Sequence, residues 1–366
     1  MKTLKNIVKL ILYITTIIIA INYLFNIYRP YYNNTAYKPI EYAKQKKNSI
    51  NVLFVGSSSV HNGVSPMQLY RDYGFTAFDM SYSSATIKLN YYQILNALNN
   101  QKPQLIVLDM SEYFNEDISL EQQHINVDYM PINNARIKFV NDESNEFNNF
   151  QKLSFIFPFF SYHDNWKNKK INQYFDSKTL EKSYKDSISK GFITYIGDHK
   201  QISNFQNKNY MDDIPKEISI QNSSYDYLLK IKDLCDKKNI TLQLFCMPNS
   251  LSWNKSKSEA IKKLSEELGV NFIDSNEHLK DMNIDLNYDF KDGATHLNIV
   301  GARKLTDYLG KYLTSKYSLK DCRNDKYYSN WNEDLKNYEK LENKAIDSYN
   351  AELKKIKEDS NTNTKS

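Results

Sequence analysis

Cysteine is scarce in this chain, and the little there is forms no pattern. Cys235, Cys246 and Cys322 make up the whole complement. There is no CxxC pair and no histidine at metal-ligand spacing, which argues against a disulfide framework and a structural metal site. A strong excess of one charge is also missing: 48 Lys and Arg stand against 43 Asp and Glu, a net +5 over 366 residues. Because Lys and Glu are interspersed, the electrostatic footprint of a nucleic-acid binder is absent. No GxxxxGK[ST] loop occurs and no internal repeat is visible. Neither a metal nor a cofactor is expected, and nucleic acid is excluded as a partner.

What remains suits one fairly large globular domain with appendages, at 41% hydrophobic and 25% charged residues. Tyrosine is abundant, with 29 residues; this suits stacking on sugar rings but equally reads as compositional drift. The clearest physical signal lies at the N-terminus. From Leu10 to Tyr28 the run LILYITTIIIAINYLFNIY carries no charge, and a bilayer core needs roughly 20 such residues in a helix. A cleaved signal peptide needs small residues around its cut, yet Ile18 stands two positions before Ala20. The run therefore reads as an uncleaved membrane anchor. Lys2, Lys5 and Lys9 precede it, while Arg29, Lys38, Lys44, Lys46 and Lys47 follow, so the positive-inside rule does not decide the orientation. The simpler topology leaves the short tail in the cytoplasm and the main domain outside the cell.

Residues 1–9 are thus read as a cytoplasmic tail, 10–28 as a single-pass transmembrane anchor and 29–48 as a stalk. Residues 49–317 form the globular domain and 318–366 a charged, partly helical tail with a disordered end. In the domain, short apolar runs at 50–55, 76–80, 104–110, 241–247 and 271–274 predict central parallel strands. Helical periodicity marks 66–73, 87–99, 223–238, 258–268 and 298–312. Such alternation predicts a doubly wound α/β sandwich, a parallel sheet between two helical layers. Residues 114–222 interrupt it and read as an insertion over the strand ends, with helical hints around 180–189.

The first strand runs into Gly56-Ser57-Ser58-Ser59, at the edge where open α/β sheets bind ligands. A serine becomes a nucleophile only beside a base. Of the six histidines, His124 and His199 fall in polar loops and read as exposed, and His278 as structural. His61 fits a cleft wall or the surface. His296 lies in Asp292-Gly293-Ala294-Thr295-His296 ahead of the final helix, in a loop expected to open at the same sheet edge, with Asp292 or Asp289 to orient its ring. Taken singly, the serine turn also reads as a phosphate loop and the Asp–His pair as helix capping.

Two blocks together, GSSSVHNGVSP at 56–66 and DGATHLNIVGARKL at 292–305, resemble the SGNH/GDSL hydrolase superfamily. The likeness is to its extracytoplasmic, membrane-anchored branch, which includes the teichoic acid D-alanine transfer protein and polysaccharide O-acetylation proteins. The insert FPFFSYHDNW at 157–166 resembles a Tyr-His-Trp segment of anchored members. The resemblance implies Ser58 as nucleophile, His296 as base and Asp292 as its acidic partner, with Ser57, Ser81, His61 and Asp289 around the oxyanion site and cleft. It also implies Tyr162, His163 and Trp166 in a substrate cleft. This sequence departs from the family pattern in three places. Asp292 stands one residue further from His296 than is usual, Ser81 replaces a glycine of the second block, and the third block's asparagine has no counterpart after Leu108-Asp109-Met110. The implied activity is an acyl esterase or O-acyltransferase acting on a cell-envelope polysaccharide or teichoic acid, partnered by an integral membrane O-acyltransferase. Two other classes stay open: a glycan-binding scaffold on the same fold, and a flavodoxin-type phosphate or nucleotide binder.

Overall fold

Five short runs of apolar residues pair into a sheet: β1 Val52–Val55, β2 Ala77–Asp79, β3 Leu105–Asp109, β4 Thr241–Cys246 and β5 Asn271–Asp274. Each lies within the span expected from its apolar run, four of them shortened at one or both ends where pairing stops. This computed structural model describes residues 2–28, 38–143, 146–162, 188–193, 202–203, 209–293 and 295–363. All strand pairs are parallel and the order is β2-β1-β3-β4-β5. Every residue of β1 and β3 is buried. Successive side chains of a strand point to opposite faces, so both faces of these strands are shielded from water. The chain steps outward from β1 to β2, then returns past β1 to β3, and this reversal opens a crevice at the carboxyl ends of β1 and β3.

Helices follow the strands with clear start signals. α1 is Lys2–Tyr28 and α2 is Lys38–Lys44; α3, Ser58–Gly63, and α4, Pro66–Tyr73, follow β1. Ser65 caps α4 by accepting from Gln68 N, with Pro66 in the first turn. α5, Ile87–Ala97, is capped by Thr86. After the insertion come α10, Ser223–Lys238, α11, Lys255–Glu267, and α12, Ile299–Lys316, capped by Asn222, Asn254 and Asn298. Each cap contributes about 1 kcal/mol.

The insertion builds structure of its own. It holds α6 Leu120–Val127, α7 Asn134–Asp142, α8 Asn149–Ile156 and α9 Phe159–Tyr162. Phe139 and Phe155 from these helices, with Phe147 from the connection between α7 and α8, join the main core. Buried Arg136 ties the helices together by donating to Phe155 O (2.6 Å) and Met130 O (2.7 Å). Of the helical stretch expected around 180–189, all but residues 188 and 189 lies outside the described residues. Residues 188–193 reach the end of β2, where Asp79 N donates to Lys190 O at 2.9 Å. Gly191 has φ +99°, and a Cβ there would sit 2.2 Å from Asp79 O; glycine is what permits this approach.

The charged tail is mostly a single helix, α13, Ser329–Asn363, and it extends into the stretch expected to be disordered. Trp331, Tyr338, Ala345 and Tyr349 are buried along it. Tyr338 OH lies 2.7 Å from Ser65 Oγ, and the buried Glu342 takes Arg71 of α4 at 2.6 Å. α1 starts well before the expected anchor boundary, because Lys2, Lys5 and Lys9 are good helix formers. Its apolar stretch, Thr3–Ile21, has a mean hydropathy of 1.9 and is long and apolar enough to cross a membrane. The hydroxyls of Thr15 and Thr16 donate to Ile11 O and Leu12 O (2.8 and 2.9 Å), so they need no water.

Candidate active site

β1 ends at Val55, and Gly56 turns the chain into α3. A Cβ on Gly56 would fall 2.5 Å from Asp109 Cβ and 2.6 Å from Val60 Cγ2, so this turn lies tight against the end of β3. Ser58 is the first residue of α3 and is partly exposed. Ser57 holds the N-cap position in extended conformation, but its hydroxyl is buried, makes no cap bond and has no described partner.

The second half of the site comes from the loop before α12. β5 does not lead into this loop directly, since Asp274 is followed by the turns of residues 275–288. An isolated antiparallel bridge pairs Phe290 with Leu297, reinforced by Lys291 N donating to His296 O at 3.0 Å and Asn298 N to Asp289 O at 2.9 Å. The loop 291–296 is thereby held as a small hairpin. α12 packs against α3, and Thr306 on α12 accepts from Ser65 N (3.0 Å) and donates to Gly63 O (3.3 Å). That packing brings the two loops to one crevice.

There His296 Nε2 lies 2.8 Å from Ser58 Oγ. On its other side His296 Nδ1 meets Asp292 Oδ2. Asp292 also accepts from Thr295 N and His296 N, both at 3.0 Å, and from Thr295 Oγ1 at 2.9 Å. Burial opposes its ionisation. The bond to His296, the charge of that ring and the two backbone donors outweigh burial, so the carboxyl is held far below the usual range. An ionised carboxylate at Nδ1 sets the ring with its proton there and its Nε2 lone pair toward Ser58. Asp289, the alternative partner, is turned elsewhere: buried, it takes Lys304 Nζ at 2.7 Å and Asp285 N at 2.6 Å.

Around this line stand His61, expected at the cleft wall or the surface, and four groups to which the sequence assigned no role: Lys291, Asn62, Lys38 and Asp109. Lys291 Nζ donates to Asn62 Oδ1 at 2.5 Å, and Asn62 Nδ2 to Ser58 O at 2.7 Å, linking the histidine loop to the serine turn. Burial pushes the Lys291 ammonium down to about 8 against the pull of Asp292. His61 is buried, with its Nδ1 lacking a described partner. Burial, then the charges of Lys38, His296 and Lys291, drive it well below its ordinary range, so it is neutral. Lys38, assigned to the stalk by sequence, is instead buried beside the sheet, donating to Asp79 Oδ1 (3.1 Å) and Ser81 O (2.8 Å). Only its position after a polar stretch was legible. Asp109, at the end of β3, accepts from Ser111 Oγ (2.5 Å), Ser111 N (3.1 Å) and Met247 N (3.2 Å). Its burial, larger than the effect of those donors, pushes it up to about 6.

Ser81 is buried, and its N–H already donates to Asp79 Oδ1 at 2.8 Å. Tyr82 N likewise donates to Gly56 O at 3.1 Å. Neither amide is free to meet a ligand oxygen in this conformation. Tyr162 ends α9, but its side chain, together with His163 and Trp166, lies outside the described residues, as does His199. His124 is not exposed as expected. It is buried in α6, stacked on Phe155 with ring centroids 4.0 Å apart, and its Nδ1 lies 3.0 Å from Asp128. The polar sequence around it hid an amphipathic helix. His278 lies at the surface, 2.8 Å from Asp281.

The arrangement can move a proton from a hydroxyl to an imidazole whose far side is held by a carboxylate, in a crevice at the reversal point of the sheet. Compared with family models and with curated proteins, the chain matches none.

Proposed function

We propose that this chain is a membrane-anchored acyl-ester enzyme of SGNH type, acting through Ser58, His296 and Asp292. The observation that carries the reading is the unbroken line from Ser58 Oγ to His296 Nε2 at 2.8 Å and from His296 Nδ1 to Asp292. In the first half-reaction Ser58 Oγ attacks the ester carbonyl carbon while its proton passes to His296 Nε2. The carbon–oxygen bond to the leaving alcohol then breaks, and His296 returns the proton to that oxygen. A sugar or polyol hydroxyl, or water, reverses the sequence and removes the acyl group from Ser58. The Ser58 N–H at the first position of α3 supplies an oxyanion donor.

The same reading takes the strand order, which matches flavodoxin-like sheets, as the centre of a three-layer sandwich. α3, α4 and α12 pack together, while α5 packs with α7 and α10, which supports helices on both faces. The anchor, with its N-terminus cytoplasmic, would hold the domain outside the cell. There a polysaccharide or teichoic acid acceptor and an integral membrane O-acyltransferase are the fitting partners. The test is fluorophosphonate labelling and ester turnover of the full chain in detergent. Wild type labels and turns over; equal labelling and turnover by Ser58→Ala overturns the assignment.

One observation favours a second reading, a glycan-binding scaffold. With the Ser81 and Tyr82 amides engaged internally, the oxyanion site is thinly furnished. Envelope acylation that survives both Ser58→Ala and His296→Ala, with glycan binding retained, would decide for the scaffold.

A further inference from the structure

The core does not consume all the apolar surface of the insertion. α8 buries Ser154 and Phe155 and turns Phe150 and Leu153 outward, 58% and 40% exposed. Three residues apart on a helix, these two share a face. Phe160 of α9 lies against Phe150, with ring centroids 6.2 Å apart. On or just before the adjoining α7, Ile137 and Ile132 are also exposed. Contiguous exposed apolar groups of this kind mark contact surfaces.

Two observations say what covers this one. First, α9 packs against α1, and α1 itself presents an apolar stretch, Thr3–Ile21, with none of it buried by the protein. The patch therefore adjoins the segment read as the anchor. Second, α8 and α9 are held firmly: His124 Nε2 lies 3.3 Å from Ser154 Oγ and 3.2 Å from Ser161 Oγ, while its ring stacks on Phe155 and its Nδ1 meets Asp128. A surface so fixed to the domain transmits its own orientation to it. We propose that the α8–α9 edge is a second membrane contact, in which Phe150, Leu153 and Phe160 enter the interface of the bilayer that α1 crosses. This contact would stop the domain swinging on its anchor and set the height and tilt of the Ser58 crevice over the lipid. The inference rests on reading α1 as a membrane span.

The full chain, reconstituted in phosphatidylcholine–phosphatidylglycerol vesicles with doxyl-labelled lipid, provides the test. The three native cysteines are buried, so a bimane fluorophore can be placed at Phe150→Cys or Leu153→Cys. Ile14→Cys on α1 reports the anchor, and Lys102→Cys, exposed in the turn before β3, reports a lipid-free surface. Quenching at positions 150 and 153 several-fold above that at 102 is the expected result. Quenching at 14 with 150 and 153 no different from 102 overturns the second contact and leaves the anchor standing. No quenching at 14 removes the anchor reading and this inference with it. Excimer formation between pyrene-labelled 150 positions without lipid quenching would assign the patch to a second copy of the chain, and also overturns the proposal.

Discussion

Ser58 and His296 are separated by 238 residues in sequence, and their meeting concentrates the chemistry in one contact. Under the proposed mechanism, Ser58→Ala and His296→Ala are expected to abolish ester turnover while leaving the thermal midpoint within a few degrees of wild type, measured by scanning calorimetry beside the assay. Asp292→Asn keeps the shape but removes the charge that selects the tautomer, and turnover should fall by about three to four orders of magnitude. Two neighbours make pH predictions for stability. Asp109 has its pKa raised from 3.8 to about 6 by burial. The unfolded carboxyl loses its proton first, so between these values the native state holds more protons and stability falls as pH rises. Asp109→Asn should flatten that slope in urea titrations from pH 3.5 to 6.5. Lys291 is lowered from 10.5 to about 8. There the unfolded state keeps its proton longer, so its contribution to stability grows as pH rises from 8 to 10.5. Lys291→Met should lose that rise relative to wild type and be the more stable of the two at pH 7.

Among the elements, the turn after β1 and the segment 188–193 each hold a glycine with no room for a Cβ. Gly191→Ala would drive a Cβ to 2.2 Å from Asp79 O at a φ of +99°. This substitution should cost at least 1–3 kcal/mol, the scale of backbone strain at such a position, and loosen the wall formed by Asp79, Ser81 and Lys38. Hydrogen exchange at the Asp79 amide, which donates to Lys190 O, would report it; unchanged protection would mean that the segment does not hold β2. α13 is the other element whose role was only half legible. Its Lys- and Glu-rich sequence, with Tyr338 and Tyr349 at helical spacing, reads as a solvated helix packing one edge, and Trp331, which that spacing did not include, is buried with Tyr338 against α4 and its surroundings. Trp331→Ala should destabilise by about 3–5 kcal/mol in urea unfolding, as expected for emptying a large aromatic site.

At the scale of the whole molecule, one apolar helix and one α/β domain are joined through residues 29–37, and Lys38 arrives directly at the sheet edge beside the crevice. Lys38, the first described residue after that junction, thus belongs to the wall of the candidate site. Phe150 and Leu153, on α8 next to the α9 that packs against α1, sit where the sequence showed an Asn-, Lys- and aromatic-rich insertion. Their exposure follows from which face of α8 the core takes, and periodicity over eight residues does not reveal that.

The sequence by itself determined the five strands and the five helices that alternate with them, in order, but not the helices α6–α9 of the insertion. Continuous apolar runs can be buried on both sides only as central strands, and the Ser, Thr and Asn caps mark the helix starts within about three residues. It also named the serine and the histidine, because small residues after a first strand and an Asp-rich turn before a last helix are local patterns. Only tertiary structure decided which carboxylate serves His296, since Asp289 and Asp292 differ little in sequence position and are separated by the hairpin that turns one toward Lys304. Likewise, the burial of His61, Lys38 and His124, and the engagement of the Ser81 amide by Asp79, arise from contacts between distant segments, whose energies depend on three-dimensional neighbours that no local pattern specifies.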